Sequence, residues 1–263
     1  MRLLARRAAA LAILLAPLST TAGDSDSEQT IWATPHEQYS SSVGVLGCKI
    51  DTNRVAYWPA AISCNDICVE VQHEGRKVKL LRIDRSEGAY DMSYDAWNYL
   101  YTGKSARDEP AVGGPVEMQY RNLSASDCDD LIHTKGSRLP LSAPNSMNFL
   151  ASCLDAPGDN WVKDNHILYN VLDPLCTVGR DEECELDWPA ANQAVCPHTM
   201  GEPVPLKDKS VVNVQYGTGD SVVGATGEKV DDPSSASTLI PRSYVLLSGA
   251  LLGVTHLFCY TPF

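Results

Sequence analysis

The residues whose type and spacing invite chemistry are the cysteines. Cys48, Cys64, Cys68, Cys128, Cys153, Cys176, Cys184 and Cys196 lie in the body of the chain, and Cys259 lies near its end. Thiols either ligate metal or oxidise in pairs. Cys64-Asn-Asp-Ile-Cys68 and Cys196-Pro-His198 look like ligand pairs, but no second close pair supplies the spacing of a structural zinc site. An even set in an oxidising compartment reads instead as four disulfides, whose pairing the spacing leaves open. The histidines are scattered without a His-Glu-x-x-His pair, and no Gly-x-Ser-x-Gly elbow occurs. Zincin and serine-hydrolase mechanisms therefore have no support. Gly217 to Gly224 superficially resembles a nucleotide loop but is followed by no convincing helix and reads as linker. The sequence calls for no cofactor and no metal. Asn122-Leu123-Ser124 is the one glycosylation sequon, which predicts a surface loop there.

The oxidising compartment is predicted by the two ends. A basic start through Arg7 precedes an apolar run from Ala8 to Leu18, too short to span a bilayer, and small residues at Thr20-Thr21-Ala22. This is the three-part pattern of a signal peptide over residues 1–22, with a mature chain from Gly23. A second apolar segment, Tyr244 to Phe263, follows the small-residue stretch Asp231 to Ser237 and a short spacer. Small site, spacer and tail together make a glycolipid-anchor signal, with attachment at Ser234, Ser235 or Ala236. A transmembrane helix is the alternative reading, disfavoured because no basic residues follow the segment. The sequence thus predicts a membrane association through the lipid anchor only, at an outer cell surface. The chain carries a formal net charge of −12, and losing both ends removes Arg2, Arg6, Arg7 and Arg242 but no acid. So acidic a body repels phosphate backbones and excludes nucleic acid as a partner.

The elements between the ends are mostly short strands. Val69, Val71 and His73 alternate with polar residues, Glu74-Gly75 supplies a turn, and Val78, Leu80 and Arg82 begin the return, which predicts a hairpin. Val116, Met118 and Tyr120 predict another half-buried strand. One helix interrupts them: Ser93 caps it, Trp97, Leu100 and Tyr101 make its apolar face, and Gly103 stops it. The predicted organisation is a signal peptide over 1–22, an N-terminal arm over 23–45 and a barrel-like domain over 46–130. A disulfide-rich extension of loops and short helices follows over 131–205, then a flexible stalk over 206–236 and a hydrophobic tail over 237–263.

The order of these features resembles the six-stranded double-psi β-barrel of barwin, expansins, bacterial rare lipoprotein A and some fungal endoglucanases. The matching pieces are Cys64 to Val71, Val78 to Asp84, Ala89-Tyr90-Asp91-Met92-Ser93 opening the helix, and Gly114 to Arg121 ending at Cys128. As a whole the chain is most similar to fungal secreted proteins of that superfamily. The resemblance implies a mainly β fold and a shallow groove in which a polysaccharide lies, lined by aromatics and by the aspartate at Asp91. A carboxylate there would protonate a glycosidic oxygen, hydrogen-bond sugar hydroxyls, or only favour the helix N-terminus. Tyr57, Trp58 and Tyr90 are the aromatics expected beside it, while Trp97 at helical spacing reads as core. Hydrolysis by this barrel needs a second carboxylate, which the endoglucanases supply in a Tyr-Trp-Asp-Cys motif. Here Tyr57-Trp58-Pro59 stands at that match, with Asp51 and Asp66 as weak substitutes, and Ala89 replaces the expansin histidine. The catalytic pair is therefore broken. The expected function is non-catalytic binding of a wall polysaccharide such as glucan, chitin or cellulose. A secreted effector or surface protein with a protein partner is the alternative, and a glycoside hydrolase acting through Asp91 is the third reading.

Overall fold

Alternation of apolar and polar residues builds most of the body from strands, and the pairing of those strands closes a barrel. The structure is a computed structural model and describes residues 27–206 and 209–230. The predicted signal peptide, the attachment residues Ser234, Ser235 and Ala236 and the hydrophobic tail lie outside the described residues.

Six strands make the barrel: β1 (Gln29–His36), β2 (Val55–Trp58), β3 (Cys68–His73), β4 (Arg76–Arg85), β5 (Tyr90–Ser93) and β6 (Val116–Asn122), in the closed order β1-β5-β2-β4-β3-β6. β1 runs parallel to β5, and β2 runs parallel to β4, while the other neighbours are antiparallel. Exchanging β1 with β4, β2 with β5 and β3 with β6 maps this set of pairings onto itself. Two interlocked halves, each crossing the other through a parallel pair, give the expected double-psi barrel. Closure also leaves no unpaired sheet edge.

The expected hairpin forms, with Val71 opposite Val78 and His73 opposite Arg76. Helix α1 (Tyr94–Thr102) follows β5 directly and buries Trp97 and Leu100, and Gly103 ends it at φ 83° with its N–H bonded to the Tyr99 carbonyl. A left-handed residue is where glycine stops a helix without a Cβ clash. Two expectations differ. Tyr101 is exposed, and the Ser93 hydroxyl donates to the Thr52 and Val55 carbonyls instead of capping the helix.

The barrel interior is filled by Ile31 and Ala33 from β1, Ala56 and Trp58 from β2, Val69, Val71, Val78 and Leu80 from the hairpin, and Met92 and Met118, with α1 packed against them. Residues 29–36, expected as part of an arm, thus supply the strand that completes closure. A second core lies on the outer side of β2 and β4, where Val55, Tyr57, Leu81 and Ile83 meet Tyr39, Val45, Leu141, Leu150 and Leu168. The extension that covers this side is more ordered than its cysteine-rich sequence suggests. It contains β7 (Leu139–Ser142), α2 (Met147–Leu154), α3 (Trp161–Asp164), β8 (His166–Val171) and β9 (Gly179–Cys184), the strands forming a sheet in the order β7-β8-β9. Leu141, Leu150 and Leu168 share the core with the barrel, while Ile167, Tyr169, Val171 and Cys176 form a smaller cluster with Leu46. Cys48–Cys176 and Cys64–Cys153 tie the two together, Cys68–Cys128 staples the barrel, and Cys184–Cys196 closes a loop of the extension. Part of the expected stalk is also folded: β10 (Val212–Val214) and β11 (Ser221–Val223) pair as a hairpin, with Val211 and Val214 buried.

Candidate functional site

Period-two alternation divides β1 into two faces. Ile31 and Ala33 point into the barrel, so Trp32, Thr34 and His36 point outward. β5 divides the same way, with Met92 inside and Asp91 outside. The parallel register sets Thr34 beside Asp91, and the Thr34 hydroxyl donates to Asp91 Oδ1. Among the described residues Thr34 is the one side-chain partner of Asp91, which is half-buried. The Asp91 carboxylate is thereby fixed in direction.

A cleft of about 510 Å³ opens beside this pair, walled by Thr34, His36, Glu37, Gly113 and Tyr216. Tyr216 is held at both ends: its N–H donates to Glu37 Oε2 at 2.9 Å, and its hydroxyl accepts from the Gly113 N–H and donates to the Gly113 carbonyl at 2.8 and 2.7 Å. Gly113 is required by a close approach, because a Cβ there would stand 2.8 Å from the Trp97 ring. His36 lines the cleft with its ring centroid 4.5 Å from that of Tyr57.

The aromatics expected in the groove are placed differently. Trp58 is 1% exposed and points into the barrel, where it meets the edges of Tyr90 and Tyr120 at 5.4 and 4.5 Å. Tyr90 is half-buried on the inner side of β5, opposite to Asp91. Tyr57 faces outward, but the chain from Tyr39 to Val45 and the extension cover it, and it is 3% exposed. Burial pushes its phenol well above the ordinary tyrosine value, and the Asp84 and Asp91 charges push it further against hydrogen bonds from Ser40 and Ser93. It stays neutral and offers no base. Of the four expected ligand residues, Asp91 alone both faces outward and keeps some exposure.

The weak substitutes for a second carboxylate lie elsewhere. Asp51 accepts from the Asn53 N–H in a turn, and Asp66 accepts from Ser63 on an exposed loop. Asp84 is buried and saturated by the Ser40 hydroxyl and the Ser42 and Arg85 N–H groups. Asn122 sits at the end of β6, half-buried, with Oδ1 enclosed and unpartnered among the described residues. All eight cysteines of the body are in disulfides, and among the described residues no group of three His, Cys, Asp or Glu side chains could hold a metal ion.

Sequence reasoning missed Thr34, His36, Trp32 and Tyr216. The signal for Trp32 and Thr34 was present in Ile31-Trp32-Ala33-Thr34, an alternation that reads as a strand and assigns each side chain to a face. Chemically, the cleft offers a hydroxyl, an imidazole, a carboxylate and a fixed phenol ring, a set suited to hydrogen-bonding a hydroxyl-rich ligand. The carboxylate in its lining, Glu37, is engaged by Tyr216. No protein-family model matches the chain, and a search of curated proteins finds no match.

Proposed function

We propose that this chain is an exported, lipid-anchored surface protein whose barrel binds a wall polysaccharide without cleaving it. The observation that carries this reading is the Thr34–Asp91 pair, a carboxylate on the outward face of β5 oriented by a hydroxyl that itself lines an open cleft. Four disulfides fit an oxidising, extracellular setting, and the acidic surface suits neutral glycan better than phosphate or anionic lipid. The expansin-like reading of the sequence points to the same ligand class and to a wall-bearing organism such as a fungus. Cleavage needs an acid and a base disposed across the bond; the one carboxylate in the cleft lining, Glu37, is held by the Tyr216 N–H.

The test is a pull-down of residues 23–232, disulfides intact, on insoluble chitin, β-glucan and cellulose, with released reducing sugar assayed in parallel. Retention on at least one polymer with no released sugar is expected. Release of sugar, abolished by Asp91→Asn, would replace binding with hydrolysis. Failure to bind any polymer would shift the reading to a protein partner at the same surface.

A further inference from the structure

The cleft and the pair beside it account for Thr34, His36 and Asp91 but leave the outward aromatic of β1 without a role. Trp32 is 60% exposed. A single exposed apolar side chain is ordinary on a protein surface; the alignment of this one is what carries meaning. It precedes Thr34 by one full pleat, so both stand on the same face of the same strand. Its neighbour across the ladder is Glu117 of β6, and one pleat further back Thr30 and Gln119 hydrogen-bond to each other. The indole is therefore an apolar plate bordered by hydrogen-bonding groups, not part of an apolar patch. The ladder to β6 holds the backbone beneath it, so its position relative to Asp91 is preset.

We propose that Trp32 is the stacking platform of a second sugar subsite, so that a glycan chain lies along β1 from Trp32, past Thr34 and Asp91, into the cleft at His36. This rests on the polysaccharide-binding reading above and names its substrate class. A flat ring that buries one C–H face and directs hydroxyls outward fits an aromatic plate with acceptors around it. The four residue steps from Trp32 to His36 span roughly 13 Å of strand, longer than one pyranose, so the path takes a linear oligosaccharide. Glu117, Asp91 and Glu37 border that path and repel a chain of uronates. The ligand is an uncharged, linear, β-linked glycan with flat-faced rings.

Calorimetric titration of the ectodomain with cello-, laminari- and chito-oligosaccharides from disaccharide to hexasaccharide tests this. For the series that binds, affinity rises with chain length. Trp32→Ala then weakens the hexasaccharide about tenfold, equivalent to about 1.4 kcal/mol, but changes the disaccharide little, and Trp32→Phe restores most of the loss. Asp91→Ala weakens every length. If Trp32→Ala matches the unmodified protein at the hexasaccharide while Asp91→Ala loses affinity, the platform is overturned and the groove stands. If the unmodified protein binds none of the three series, both fall. Equal affinity for an oligouronate would overturn the substrate class.

Discussion

Strands β1 and β2 flank β5 on either side, and each carries a tryptophan, yet Trp32 is 60% exposed and Trp58 is 1% exposed. Two choices separate them. Register turns Trp58 into the barrel and Trp32 out of it, and cover then decides what an outward side chain can do. On β2 even the outward Tyr57 is lost to solvent, because Tyr39, Val45 and the extension pack over it. All four residues of β2 are buried as a result. On β1 the outward face carries Trp32, Thr34 and His36 beside a cleft. The lesson is that in a closed barrel a strand becomes a binding surface only where the decorations leave it bare. The extension, by covering β2 and β4, leaves β1 and β5 for the proposed ligand.

The largest effect that would sharpen this contrast is expected on the covered side. Trp58→Ala should cost about 3–5 kcal/mol of stability in urea unfolding with disulfides intact, since it empties the barrel centre. Trp58→Phe should cost far less than a normal Trp→Phe change, because the indole Nε1 is buried with no partner among the described residues and its removal relieves an unpaired donor. A large cost for Trp58→Phe would mean that this N–H is satisfied.

The next contrast is between two aspartates four residues apart, Asp91 on β5 and Asp95 in α1. Asp95 is buried and accepts from Arg54, the Ser105 hydroxyl and the Ala106 N–H at 2.9, 2.7 and 2.9 Å. Burial pushes its carboxyl up, but the Ser105, Arg54 and Ala106 hydrogen bonds outweigh that and hold it below the usual aspartate value of 3.8. Asp95→Asn should therefore cost about 1–3 kcal/mol near neutral pH. A depressed folded-state value means that this stabilisation is complete above the unfolded value and is lost as pH falls through the folded one. The deficit of Asp95→Asn should accordingly shrink in unfolding curves taken below the usual aspartate value. Asp91→Asn should do the reverse, leaving stability within about 0.5 kcal/mol while weakening glycan retention. The smallest effect is expected for Trp32→Ala, whose thermal midpoint should match that of the unmodified protein because little packing is removed. A clear drop would mean that Trp32 is a packing residue.

Local patterning announced part of this fold. The β3–β4 hairpin, β6 and α1 were legible because alternation, the Glu74-Gly75 turn and Gly103 each act within a few residues. β1 was read as arm because its partners, β5 and β6, lie far along the chain and no turn advertises them. The β7-β8-β9 sheet was hidden by the prolines and cysteines around it, although His166–Val171 is a nearly continuous apolar strand. Asp91 was legible only through a resemblance. The aromatics beside it were misplaced because the burial of Tyr57 is decided by residues 39–45 and by the extension, neither of which neighbours it in sequence. A strand's face is local information; what covers that face is not.

The most direct test of the account is to follow the tryptophan indole N–H signals by nuclear magnetic resonance while a bound hexasaccharide is titrated in, with each signal assigned by a single Trp→Phe variant. The account predicts that the Trp32 signal shifts in step with binding while the Trp58 signal stays in place. Movement of Trp58 with Trp32 unchanged would put the ligand at the Trp58, Tyr90 and Tyr120 rings, and would contradict the assignment of β1 as the binding face.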